Sequence, residues 1–180
     1  TELWARRWSG TGSLGDIPRG IAVDVAGNAL VTGESHAAGG TGWDYATVKY
    51  APDGTELWVR MYNGPQDEVD RPVAMAVDAA GNVHVTGVSL GVGEGTDWAT
   101  VKYDAGGNEV WAQRFPTQGT INGSWMSIAL DGAGNVLVAG GPASYFMTVF
   151  VKYDPHGKRL WDKWQGASIA AIATDDQGGI

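Results

Sequence analysis

The chain has 180 residues, enough for a sizeable core, with 28 Gly, 9 Trp and no Cys, so disulfide and thiol chemistry are excluded. Asp plus Glu total 20 against 12 Lys plus Arg, a formal charge of −8. A surface of that sign repels phosphate backbones, and no apolar run reaches the roughly 18 residues of a membrane span, so neither nucleic acid nor membrane insertion is expected. The chain opens on Thr1 with neither an initiator Met nor a signal peptide, which reads as a processed or excised piece.

In chain order, TELWARRW at 1–8 reads as a strand, because it matches TELWVRMY at 55–62. Three units follow, at about 18–63, 72–115 and 124–165, each predicted to hold four strands. In the second unit these are about Pro72 to Asp78, Val83 to Gly87, Trp98 to Tyr103 and Glu109 to Phe115. Val, Thr, Trp and Tyr dominate these runs, which are too short and too β-branched for helices. The first two strands of each unit are joined by AVDVAGN (22–28), AVDAAGN (76–82) or ALDGAGN (129–135), where a left-handed backbone favours Gly and Asn. A second turn, ending in Gly54, Gly107 or Gly157, joins strands three and four, and Trp follows each Gly by four residues. SIAAIATDDQGGI closes the chain, so residues 167–180 read as the first strand of a further unit.

Trp4, Trp58, Trp111 and Trp161 recur in step with Lys49-Tyr50, Lys102-Tyr103 and Lys152-Tyr153. Four antiparallel strands per roughly 50 residues is the size of a β-propeller blade. The expected fold class is therefore all-β, a partial or open propeller of about three and a half blades. It forms one segment over 1–180, with 1–8 as a lone fourth strand. The Trp series fits a plug between neighbouring blades. The units reading DYATVKYAPDGTELWVRMYNGP and AVDAAGNVHVTGVS resemble the SBBP repeat, a family named for a seven-bladed β-propeller. That resemblance implies secreted or surface-exposed bacterial or archaeal proteins and no common catalytic activity.

In such a fold the two short repeated turns lie on one face. The long, variable connections lie on the other, at 34–43, 88–96, 141–146, 9–18, 63–71 and 116–124. Binding residues usually sit on such loops. This face collects Asp16, Glu34, Asp44, Asp67, Glu68, Asp70, Glu94 and Asp97 against Arg19 and Arg71. The cluster reads either as a solvated acidic face or as a site for a cationic partner or Ca²⁺, with Asp67 and Asp70 the candidate ligands. Trp43, Trp98, Trp125, Tyr145 and Phe146 lie near it, and Trp43 and Trp125 stand out because the other copies lack an equivalent. The ligand-binding candidates are thus Asp16, Trp43, Asp44, Asp67, Glu68, Asp70, Asp97 and Trp125.

Asp24, Asp78 and Asp131, like Lys49, Lys102 and Lys152, recur once per unit. An active site is normally singular, so recurrence points to turn capping and packing. The three His residues fall at unrelated repeat positions, which disfavours zinc, and no nucleophile elbow or phosphate loop occurs. Asn122-Gly123-Ser124 is a formal glycosylation sequon. The reading that follows is a non-catalytic extracellular or cell-surface module, with no cofactor beyond a Ca²⁺ option. It binds protein or glycan by its long-loop face and works with further blades of a parent chain or another copy. The competing readings are part of a secreted propeller enzyme acting on polysaccharide and a half-propeller that self-assembles.

Overall fold

The computed structural model describes residues 2–12, 15–36, 42–91, 95–117, 125–141, 147–166 and 171–175. All regular structure among them is β. The first sheet comprises β1 (Asp16–Val23), β2 (Ala29–His36), β3 (Trp43–Tyr50) and β4 (Glu56–Tyr62). The second holds β5 (Asp70–Val77), β6 (Val83–Leu90), β7 (Thr96–Tyr103) and β8 (Glu109–Pro116). The third holds β9 (Trp125–Leu130), β10 (Val136–Gly141), β11 (Thr148–Tyr153) and β12 (Arg159–Gln165). Each is an antiparallel meander with strands in chain order. The first strands of sheets one and two start at Asp16 and Asp70, two residues before the expected Pro18 and Pro72. Pro lacks a ladder N–H, and the register slips beside each one, leaving Arg19 and Val73 as bulge residues.

The turn between first and second strands is built three times on one Asp. Asp24 Oδ1 accepts the amides of Ala26 and Asn28 at 3.0 and 2.9 Å, and Oδ2 accepts Asn28 Nδ2 at 2.8 Å. Asp78 and Asp131 repeat the arrangement on Asn82 and Asn135. Lys49 Nζ lies 2.9 Å from Asp24 Oδ2, and Lys152 Nζ 2.8 Å from Asp131 Oδ2. Burial alone would raise these two carboxyls, yet the Asn and Lys contacts prevail and hold each at about 2. In sheet two His84 takes the position of Leu30 and Leu137, and its Nε2 lies 3.7 Å from Asp78 Oδ2.

The sheets stack face to face, which is why β6 and β10 are buried on both sides and lack a clean alternation. Leu30, Tyr45 and Trp58 of sheet one pack on Val83, Val85, Ala99, Val101 and Tyr103 of sheet two. Val88, Trp98, Trp111 and Phe115 of sheet two pack in the same way on Val136, Val138, Val149, Val151 and Tyr153 of sheet three. β5 lies against both β1 and β9, so the first strands converge along one edge of the stack.

The Trp series joins the sheets. Trp58 Nε1 donates to the Ala105 carbonyl at 3.1 Å and Trp111 Nε1 to that of Pro155 at 3.1 Å. A Cβ on Gly107 or Gly157 would sit 2.8 Å from the Trp58 or Trp111 ring, and both glycines have φ +84. Only Gly offers that flat landing and that backbone.

Residues 2–10 differ from the expected strand at 1–8, because they pair with no described strand and form no ladder. Their side chains still dock like a fourth strand. Trp4 Nε1 donates to the Pro52 carbonyl at 2.8 Å and Arg6 Nε to that of Gly54 at 2.8 Å. At the other end, residues 171–175 are not a strand either, and 167–170 and 176–180 lie outside the described residues. Ile172 N and Thr174 Oγ1 nevertheless reach Ser127 Oγ and the Leu130 carbonyl, so the segment runs beside β9. Trp161 packs there with Leu137, Ala139, Phe150 and Ile172 rather than on a turn glycine.

Candidate functional site

The described ends of the long connections adjoin the starts of the first and third strands and the ends of the second and fourth, at one end of the stack. Tyr145, Phe146, Glu94 and the sequon at 122–124 lie outside the described residues. The strands reach further into these connections than the sequence suggested: β2 runs to His36 and β6 to Leu90, so that Glu34 and Val88 are buried strand residues.

Asp16 and Asp70 occupy the same place in their sheets, opposite Ser35 and Ser89. Each folds back the connection before it: Asp16 Oδ2 accepts the Gly10 amide at 3.0 Å and Asp70 Oδ2 the Gly64 amide at 2.6 Å. Asp67, at φ 51, accepts Asn63 Nδ2 at 2.6 Å through Oδ1. Glu68 is exposed, and its backbone lies against Gly42. No group of three or more His, Asp and Glu side chains among the described residues is arranged to hold a metal ion.

Trp43 is half-buried and meets His36 edge-on, ring centroids 5.8 Å apart. Asp44, beside it, is buried. Burial, then the charges of Asp70 and Asp67, push its carboxyl up to about 6, with His36 acting the other way. Burial also holds Asp70 above its ordinary value. Asp44, Asp67 and Asp70 therefore form one electrostatic group at the junction of sheets one and two. Asp97 and Trp125 stand apart from it: Asp97 on β7, and Trp125 half-buried at the start of β9, opposite Gly141.

Ladder register shows what is unusual about Asp44. Asp44 opposes Ser35 as Asp97 opposes Ser89. Asp97 is neutralised by Arg114, whose Nη2 lies 3.0 Å from Oδ2. The same guanidinium donates to Tyr62 OH at 3.2 Å and to the Leu90 carbonyl at 2.9 Å. The position of Arg114, opposite Ala99, is filled in sheet one by Met61, opposite Ala46. No ion pair among the described residues includes Asp44, and all 12 Lys and Arg are described. Asp97 is thus tied into a sheet–sheet brace, while its counterpart is a buried carboxylate without a cation. Arg114 escaped the sequence reading, and aligning the units on their fourth strands would have exposed the Met61–Arg114 difference.

A second singular group lies along the converging edge. Glu34 is 3% exposed and sits between Arg19 and Arg71, which are 45% and 49% exposed. Arg19 Nε donates to Glu34 Oε1 at 2.6 Å, and Arg71 Nε lies 3.3 Å from Oε2.

No curated protein matches the chain. The SBBP family, described as a β-propeller repeat, matches residues 3–40, which run from the docked N-terminal segment through β1 and β2. The second and third sheets repeat the sequence motifs, strand order and turns of the first, and Trp111 of the second repeats the joint made by Trp58. Residues 3–40 are thus similar to the SBBP β-propeller repeat, and the three four-stranded antiparallel sheets are consistent with propeller blades.

Proposed function

We propose that the protein is a non-catalytic, extracellular or cell-surface recognition module that binds glycan through its long-loop face. It acts as one part of a larger propeller, since a closed ring takes at least about four blades. The observation that carries the reading is where the blades stop being copies. Turns, Trp joints and Val ladders repeat, whereas Trp43, its His36 partner and the unpaired Asp44 cluster at one end of one junction. An aromatic ring beside a buried carboxylate suits a sugar, whose face stacks while its hydroxyls donate. Glycan-array binding, run beside a glycoside-hydrolase screen, tests this. Binding without turnover, weakened severalfold by Trp43→Ala, is expected; an array without signal, or with signal indifferent to Trp43→Ala, would sink it.

One observation favours an enzyme acting on polysaccharide. A carboxyl held near pH 6 beside a second buried carboxyl, as at Asp44 and Asp70, suits proton transfer. Turnover in the hydrolase screen, abolished by Asp44→Asn, would select that reading.

A further inference from the structure

Three positions distinguish the two blade junctions. At the junction of blades one and two they hold Arg19, Glu34 and Arg71; at the next they hold Val73, Val88 and Trp125. Val88 and Val73 belong there to an apolar cluster with Met126. At these positions the fold thus closes the joint with apolar side chains. Half-exposed arginines paired to a buried carboxylate seldom add stability over apolar residues of similar size, so joining blades does not account for the charged set.

The triad is also unbalanced. One buried carboxylate faces two guanidinium groups, leaving one positive charge in a chain of net charge −8. Among the described contacts Arg71 engages Glu34 through Nε alone, so both of its Nη groups remain as donors. Glu34 holds the two side chains together, which lowers the entropy lost when they grip a third group. Both arginines lie on first strands, β1 and β5, along the converging edge next to the long-loop face. On β9 the position of Arg71 is taken by half-buried Trp125. The edge therefore presents a guanidinium pair and, one blade further on, an aromatic ring.

We propose that Arg19 and Arg71, oriented by Glu34, form a carboxylate-binding site for an acidic glycan, with a uronic acid on the arginines and a neighbouring sugar on Trp125. The proposal rests on the glycan reading above and adds the charge of the ligand. Paired guanidinium forks match a carboxylate bidentately, and a pyranose face matches an indole.

The test is calorimetric titration of the protein with a short oligogalacturonate and with the neutral oligogalactan of equal length. The uronate is expected to bind more tightly, with an affinity that falls as salt rises. Arg71→Gln should weaken uronate binding about tenfold and leave the oligogalactan unaffected, and Arg71→Lys should recover part of the loss. Arg71 is half-exposed and Glu34 keeps Arg19, so thermal midpoints should stay close to wild type. If both oligomers bind alike, or Arg71→Gln binds uronate as wild type does, the carboxylate site is wrong while glycan recognition stands. If the protein binds neither, and the glycan array is silent, both proposals fall.

Discussion

Among the residues, His84 and Asp44 carry the clearest departures from ordinary chemistry, and they act in opposite directions. His84 is 1% exposed and replaces a leucine of the sister blades. Burial and then Lys102 lower its pKa from 6.5 to about 4, with Asp78 opposing them. The unfolded chain therefore takes up the proton first, and stability is lost as pH falls from about 6.5 to 4. His84→Leu should remove that dependence and leave the protein more stable at pH 4 by a few kcal/mol; urea unfolding at pH 7 and pH 4 measures it. An undiminished pH effect in the variant would assign it elsewhere. Asp44 works the other way: a carboxyl raised from 3.8 to about 6 binds its proton in the folded state, so stability declines as pH rises through that window. Met61→Arg supplies the cation that Asp97 already has. It should bring the Asp44 titration, followed by carboxyl NMR, below the usual carboxylate range. A titration still near 6 would show that the two sites are not equivalent.

For single elements, the fourth strand and the turn that receives it form the unit of cohesion. Three Trp of the series each meet a Tyr of the following sheet: Trp4 meets Tyr50 at 6.0 Å, Trp58 meets Tyr103 at 6.2 Å and Trp111 meets Tyr153 at 6.0 Å. Trp58→Ala should cost about 3–5 kcal/mol by leaving a cavity in a closed joint. Gly107→Ala should cost about 2 kcal/mol from the other side, through its left-handed backbone and the ring above it. Because both changes break one contact, the double variant should lose less than the sum in a denaturant series. Full additivity would show that ring and glycine act separately. The Asp24 and Asp131 turns set the acid limit. Their carboxyls sit near 2 rather than 3.8, so their stabilisation is intact above about pH 4 and is lost as pH falls toward 2.

Across the whole molecule, the first blade presents to solvent a face that the other two bury. Ile21 and Val23 are 74% and 64% exposed, whereas Met75 and Val77, and Ile128 and Leu130, pack against the preceding blade. Residues 4–8 cover part of that face and leave a cavity of about 300 Å³ over Val31, Ala46, Val48 and Tyr50. Exposed apolar sheet faces associate, so light scattering should report a mass that rises above 18.9 kDa with concentration. Ile21→Lys with Val23→Lys should suppress the rise. A constant 18.9 kDa mass would show that the face is satisfied within one chain. The four-stranded repeat, its turn glycines and the Trp58 and Trp111 joints were legible in the residues alone, because a repeat prints the same local physics several times over. The lone strands expected at either end were legible only as packing segments, since a strand needs a ladder partner and neither segment has one among its described residues. The acidic loop face was half legible: Asp16 and Asp70 proved to be braced by backbone amides and Asp97 by Arg114, whereas buried Asp44 has no ion pair among the described residues. Periodicity along the chain is a local property, and it determined by itself that this protein is built of repeated four-stranded β units. Which charge loses its partner, and which two arginines meet over one glutamate, depends on side chains from different strands or blades brought together by the stacking of sheets, and only the tertiary structure decided that.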